Sequence, residues 1–256
     1  MCRLVAYVGP EIPLQNIVAS PAHSLLHQSM SANESLLAVN GDGFGVCWYG
    51  ADPQPGLYKD VMPAWSDSNL TSVCRLVKSR LFLAHVRAST DGETSRANCH
   101  PFVIGHWSFM HNGQIPHLRR IRRDLESELP DHLFHARLGT TDSELFFLLL
   151  LAMGFADNPV AAWEQAYARV SDSHEGEDDP MRMTCVLSNG NKVYAFRQSS
   201  DQQSPTLYAS KILDNGGYAF ASEPLDSDID NWRRVPEDVF FTMDAVSTEC
   251  VDLCRV

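Results

Sequence analysis

The feature that most limits what this chain can fold into is the run LFFLLLLAMGFA, residues 145–156. Twelve apolar residues in a row leave no polar stripe for solvent. They are too few to span a bilayer, which takes roughly 20 residues per crossing. The run therefore reads as a helix covered on every side by other protein. Its start is marked as well, because Thr141 and Glu144 have the Thr-x-x-Glu spacing of a capping box. A second helix, NPVAAWEQAYARV, follows with proline near its first turn.

Strand patterns lie on both sides of this helical middle. Ahead of it come CRLVAYVG, FGVCWYG (44–50), LFLAHVRA (81–88) and HWSFMHNG (106–113). After it come MTCVLSNG and KVYAFRQ, joined by a turn at Asn189-Gly190, then LYAS, GYAFAS and VFFTMD. One amphipathic helix, DSNLTSVCRLVKS, interrupts the first group behind a capping aspartate. Strands at both ends with helices between them predict an α+β protein in which helices cover two sheets. Loops at 171–180 and 198–205 are too short to require a domain boundary, so the 256 residues read as a single domain spanning 1–256.

Charge narrows the partners. The net charge of −12 argues against nucleic acid. The one basic cluster, Arg119, Arg120, Arg122 and Arg123, is followed by acids at helical spacing and reads as a solvated helix face. The first apolar stretch has no basic region before it and no cleavage site, and the seven cysteines show no framework spacing. Together these predict a cytoplasmic protein with no membrane partner. Cys250 and Cys254 have no nearby histidines, so neither a metal nor an organic cofactor is expected.

Cys2 is the candidate for chemistry. Once Met1 is removed, its thiol is a nucleophile and its own α-amine, which in an unstructured chain titrates near pH ~8, is the base. Read alone, Cys2 also fits a small buried hydrophobe. Acyl transfer further needs donors for an oxyanion. FMHNGQI supplies the Asn112 amide and, at Gly113, a backbone N–H that can approach closely. The same Asn-Gly pair alone fits a hairpin turn. Arg87, ending an apolar strand in AHVRAST, could grip a carboxylate bidentately or lie at the surface. Asp142, in the first turn behind GTT, could accept from an ammonium or simply favour the helix dipole.

In combination and order, MCRLVAYVG, NGDGFGV (40–46), AHVRAST, NCHPF (98–102), FMHNG and TTDSE resemble the signature of class II glutamine amidotransferases, which are N-terminal-nucleophile hydrolases. PAHSLLHQS, MPAWSDSNL, ASEPL and a W-x-x-VP motif extend the resemblance over nearly the whole chain. It is strongest to stand-alone members, among them the fungal glutathione-degrading subunit and the γ-glutamyl hydrolase of ergothioneine biosynthesis. The resemblance implies a four-layer αββα sandwich. It implies Cys2 as nucleophile, Asn112 and Gly113 as oxyanion hole, Arg87 on the substrate α-carboxylate and Asp142 on its α-amine. Thr90 would touch the glutamyl group, His100 would lie in or behind the pocket, and Gly41 to Gly43 would shape a loop near the nucleophile.

Two departures stand out. Synthase-linked members carry an aromatic residue after the arginine and a histidine after the threonine, where this chain has Ala88 and Asp91. The ergothioneine enzymes lack the histidine of AHVR, kept here as His85. The expected substrate is glutamine or another γ-glutamyl amide, glutathione-like peptides being the alternative leaving group. With no second domain read in the chain, the acceptor is water or a partner protein that takes ammonia or activates the site. A homodimer and an inactive partner-binding subunit remain open at this point.

Overall fold

The computed structural model describes residues 2–35, 37–89, 93–172 and 179–253. The first strand, β1 (Arg3–Pro13), lies inside a seven-stranded sheet. Its neighbours are β4 (Lys78–Val86) and β10 (Tyr218–Ala221), both antiparallel to it. Beyond β4 come β2 (Phe44–Trp48) and β3 (Gly56–Asp60). Beyond β10 come β9 (Tyr208–Ser210) and β11 (Trp232–Arg234). The second sheet has six strands: β5 (Phe102–Ile104), β6 (Trp107–Gln114), β7 (Arg182–Ser188), β8 (Val193–Ser199), β12 (Val239–Met243) and β13 (Thr248–Asp252). Its spatial order is β13-β12-β8-β7-β6-β5.

Alternation along the strands explains the layers, since successive side chains point to opposite faces. Leu4, Leu83, Met110, Val186 and Phe241 form one buried cluster between the two sheets. Val5, Phe82 and Ala84 face the other way. They pack with α1 (Gln15–Val18), α2 (Leu25–Met30) and α3 (Ser68–Leu76). Phe109, Leu187 and Phe196 point outward from the second sheet. They are covered by α4 (Leu118–Ser127), α5 (Asp131–Ala136), α6 (Asp142–Ala152) and α7 (Pro159–Ser171). The result is an αββα sandwich with three apolar interfaces.

The all-apolar run forms α6, and eight of its residues, Ser143–Leu150, are buried. Phe147 stacks on Phe109 at 5.1 Å, and Phe146 meets Trp163 of α7 edge-on. Trp163 in turn lies flat on Phe196 at 4.2 Å and donates its indole N–H to Gln198. Thr141 caps α6 by accepting from the Glu144 N–H, as its spacing predicts. The return half of the capping box is not made, because the Glu144 carboxylate accepts instead from the Leu138 and Gly139 N–H groups. The basic cluster lies on α4, where Arg122 pairs with Glu126 four residues on. Among the described residues, no helix is long and apolar enough to cross a membrane.

Candidate active site

Several of the residues singled out in the sequence lie on strands that face the space between the sheets. In register, Leu4 lies opposite His85, and His85 opposite Gly45. One row further out, alternation places Cys2, Arg87 and Gly43 on the same inward face. The Cys2 sulfur rests against the backbone of Ala88. The Ala88 N–H donates to Sγ at 3.5 Å, and the thiol faces the Ala88 carbonyl at 3.6 Å. Burial pushes the thiol pKa up. The Ala88 N–H and the guanidinium groups of Arg87 and Arg3 act in the opposite sense, toward thiolate.

Arg87 is 4% exposed. Its backbone is locked to the NGDG segment, with the Arg87 N–H donating to the Gly43 carbonyl and the Asp42 N–H to the Arg87 carbonyl. The Asp42 carboxylate then accepts from the Ser89 N–H at 2.7 Å. The loop expected near the nucleophile is therefore a clamp on the strand end that carries Arg87. Thr90, expected to touch the substrate, lies outside the described residues.

Across the gap, β6 brings Asn112 to the inward face beside Met110. Asn112 is fully buried, and neither its amide nitrogen nor its oxygen has a hydrogen-bond partner among the described residues. A buried amide left without a partner costs about 1–3 kcal/mol, so the fold carries this cost at Asn112. Gly113 adopts φ +150°, and a Cβ there would collide with the Arg182 carbonyl of β7. Only glycine fits this position. Asp142 stands just beyond: one of its oxygens accepts from the Ile115 N–H at 2.9 Å, tying the end of β6 to the start of α6. Asn98 joins the NCHPF segment to the same region by accepting from the Thr140 N–H.

Three buried histidines lie behind this row. His100 stacks on His85 at 4.2 Å and meets Phe102 edge-on at 4.6 Å. The His100 carbonyl occupies the space a Cβ on Gly45 would need. His111 faces the opposite layer, its Nδ1 2.9 Å from the Ser143 hydroxyl. Burial drives all three toward the neutral form, taking His85 down to about 3. A neutral buried histidine stabilises the fold fully above its unfolded pKa of 6.5, and the unfolded chain binds the extra proton below it. His85 alone is thus expected to cost about 1.4 kcal/mol per pH unit from 6.5 downward, until its folded pKa is reached. Thermal unfolding at pH 7 and pH 5 checks this: the midpoint falls at pH 5, and equal midpoints would mean the histidines are charged in the folded protein.

Sequence reasoning missed the sulfur's contact with the Ala88 backbone, which no side chain announces. It also missed Glu223, which lies inside the quoted ASEPL but is joined to the site only through the fold.

Residues 1–210 match the family described as glutamine amidotransferases class-II. The chain belongs to this family. The "Probable glutamine amidotransferase DUG3" of Saccharomyces cerevisiae is 31% identical to this amidotransferase over 291 residues, covering 95% of this chain and 82% of the yeast protein. The gamma-glutamyl-hercynylcysteine sulfoxide hydrolase of Mycolicibacterium smegmatis is 29% identical, covering 93% of each. A glutamine aminotransferase class-II domain protein from Silicibacter pomeroyi superposes with a TM-score of 0.78 at 33% identity, covering 99% of this chain and all of that one. The four-layer sandwich is accordingly that of the N-terminal-nucleophile amidotransferases. This class II amidotransferase is an enzyme, and its reaction is cleavage of a γ-glutamyl amide.

Proposed function

We propose that the whole chain works as one amidotransferase domain that hydrolyses γ-glutamyl amides through Cys2. The strands beyond residue 210 support the single unit, because β10 pairs with β1 and β12 with β8. After Met1 is removed, the Cys2 α-amine takes the thiol proton and Sγ attacks the γ-carbonyl carbon. The carbonyl oxygen becomes an oxyanion, held by the Asn112 amide and the Gly113 N–H. Collapse of the tetrahedral intermediate breaks the C–N bond, and the α-ammonium gives its proton to the departing nitrogen. Water then attacks the γ-glutamyl thioester, releasing glutamate and restoring the thiol.

Arg87 would hold the substrate α-carboxylate, Asp142 the α-ammonium and Thr90 the glutamyl chain, with the neutral His100 ring in the pocket wall. The observation that carries this reading is Asn112: a fully buried amide without a partner among the described residues, on the face opposite Cys2 and Arg87. The acceptor is water, or a partner protein that consumes the released ammonia.

The test is glutamate release by purified protein offered glutamine and glutathione separately. Release from both is expected, since both present the same glutamyl head. The ratio of kcat/KM values identifies the leaving group preferred. Release from neither, with folded protein lacking Met1, would sink the reading.

A further inference from the structure

The residue after the nucleophile is a fully buried arginine. Arg3 points away from Cys2, to the helix side of β1, and its Nη1 pairs with Glu223 Oε1 at 3.2 Å. Glu223 is 1% exposed and collects more than this one donor. It accepts from the Asn33 N–H at 3.0 Å and the Glu34 N–H at 2.9 Å, and it meets His23 Nε2 at 2.6 Å. Gln28 closes the group by donating to the Glu223 and His23 carbonyls. Burial works against the charge on Glu223. These N–H groups, His23 and Arg3 outweigh it, and the carboxyl is held below its usual range.

A carboxylate with this many donors joins segments far apart in the chain. Residues 33 and 34 belong to the stretch that leaves α2 and arrives at Asn40, whose N–H donates to Ser29 of α2. Two residues later Asp42 takes hold of Arg87 and Ser89, on either side of the Ala88 backbone that cradles the Cys2 sulfur. Glu223 is therefore linked to the site indirectly, by two routes. Through Arg3 it fixes a positive charge behind the nucleophile. Through Asn33 and Glu34 it anchors the segment that clamps the strand in front.

We propose that Glu223 and Arg3 are positioning residues of the Cys2 site. The pair sets the charge behind the thiol and hangs the Asn40–Gly43 clamp. This rests on the reading of Cys2 as the nucleophile. The charged and titratable groups on the Cys2 side are the N-terminal amine, Arg87 from β4 and Cys99 from the segment before β5, while Arg3 acts from the opposite face of its own strand. Those facing Arg3 are Glu223 and Glu34. Arg3 favours the thiolate and Glu223 partly offsets Arg3, so removing one or the other must move the thiol in opposite senses.

The experiment is the rate at which iodoacetamide alkylates Cys2, followed on the N-terminal peptide by mass spectrometry between pH ~6 and ~9, across the range where a thiol ionises. It needs no turnover. A wild type that releases no glutamate would fail the functional reading and leave this result readable. Arg3→Gln is expected to react about threefold more slowly at pH 7, and Glu223→Gln about threefold faster. The double variant returns toward the wild-type rate. A purely structural role would loosen the site in both single variants and speed both. Two changes of the same sign would therefore overturn the proposal, as would an Arg3→Gln protein that reacts as fast as the wild type. If Arg3→Gln does not fold, two other variants decide. Glu223→Gln must still react faster, and Arg3→Lys, which keeps the charge, must match the wild type. Failure of either overturns the proposal.

Discussion

Cys2→Ala protein is expected to lose glutamate release by a factor on the order of 10⁶, the scale seen when a hydrolase nucleophile is removed. Neither neighbouring thiol can stand in. Cys99 is held against the carbonyls of Asp60 and Ser95, and Cys47 is fully buried with its thiol pushed up to about 12. The fold should tolerate the change. The lost contacts are two long sulfur–backbone approaches to Ala88, so the unfolding free energy should move by less than about 1 kcal/mol. Activity and thermal midpoint measured on the same preparation separate the two effects. Alanine-variant turnover within about a hundredfold of wild type would remove Cys2 from the mechanism.

Asn112→Ala carries the second large effect, and here stability and activity should part company. Losing an oxyanion donor lowers kcat by about 10²–10³-fold with KM little changed, because the donor acts on a charge that exists only in the transition state. The folded protein gives up nothing in exchange, since the Asn112 amide has no partner among the described residues. Truncation removes a buried unsatisfied group, so the thermal midpoint should hold or rise. The structure rules out a hairpin turn at Asn112-Gly113, since both residues lie within β6 and pair with Thr184 and Met183 of β7. A purely structural role for Asn112 in that strand predicts the reverse, a lower midpoint with activity retained. A variant that unfolds early and still turns over would settle the matter against an oxyanion role.

How much of this could be read from the residues follows from pattern strength. β1 and β4 announce themselves by apolar alternation or continuity, and α6 by having no polar face at all. β3, β11 and β13 give no such signal because they lie at sheet edges; all five residues of β13 are exposed, so burial imposes no period on them. The short helices α1, α2 and α5, of four to six residues, have too few turns to show one. Within the proposed site, the candidate side chains Cys2, Arg87, Asn112 and Asp142 were legible because they fall in ordered motifs. What aligns them was not. The sulfur leans on a backbone N–H, and Glu223 meets Arg3 across 220 positions of sequence. Glu144 is a case of local spacing overruled, its carboxylate drawn to the Leu138 and Gly139 N–H groups ahead of the helix.

The place of β1 inside its sheet also bears on when the enzyme matures. One edge of β1 zips to β4, available early in synthesis. The other edge waits for β10, and the Leu4 N–H finds Ser222 Oγ 218 positions downstream. At about 5–20 residues per second, a ribosome needs on the order of ten seconds or more to make that distance. Throughout this interval the strand that follows Cys2 has an open side and cannot be fully enclosed. Removal of Met1, which the proposed mechanism requires, would thus have a natural window that closes when β10 folds back onto the first strand.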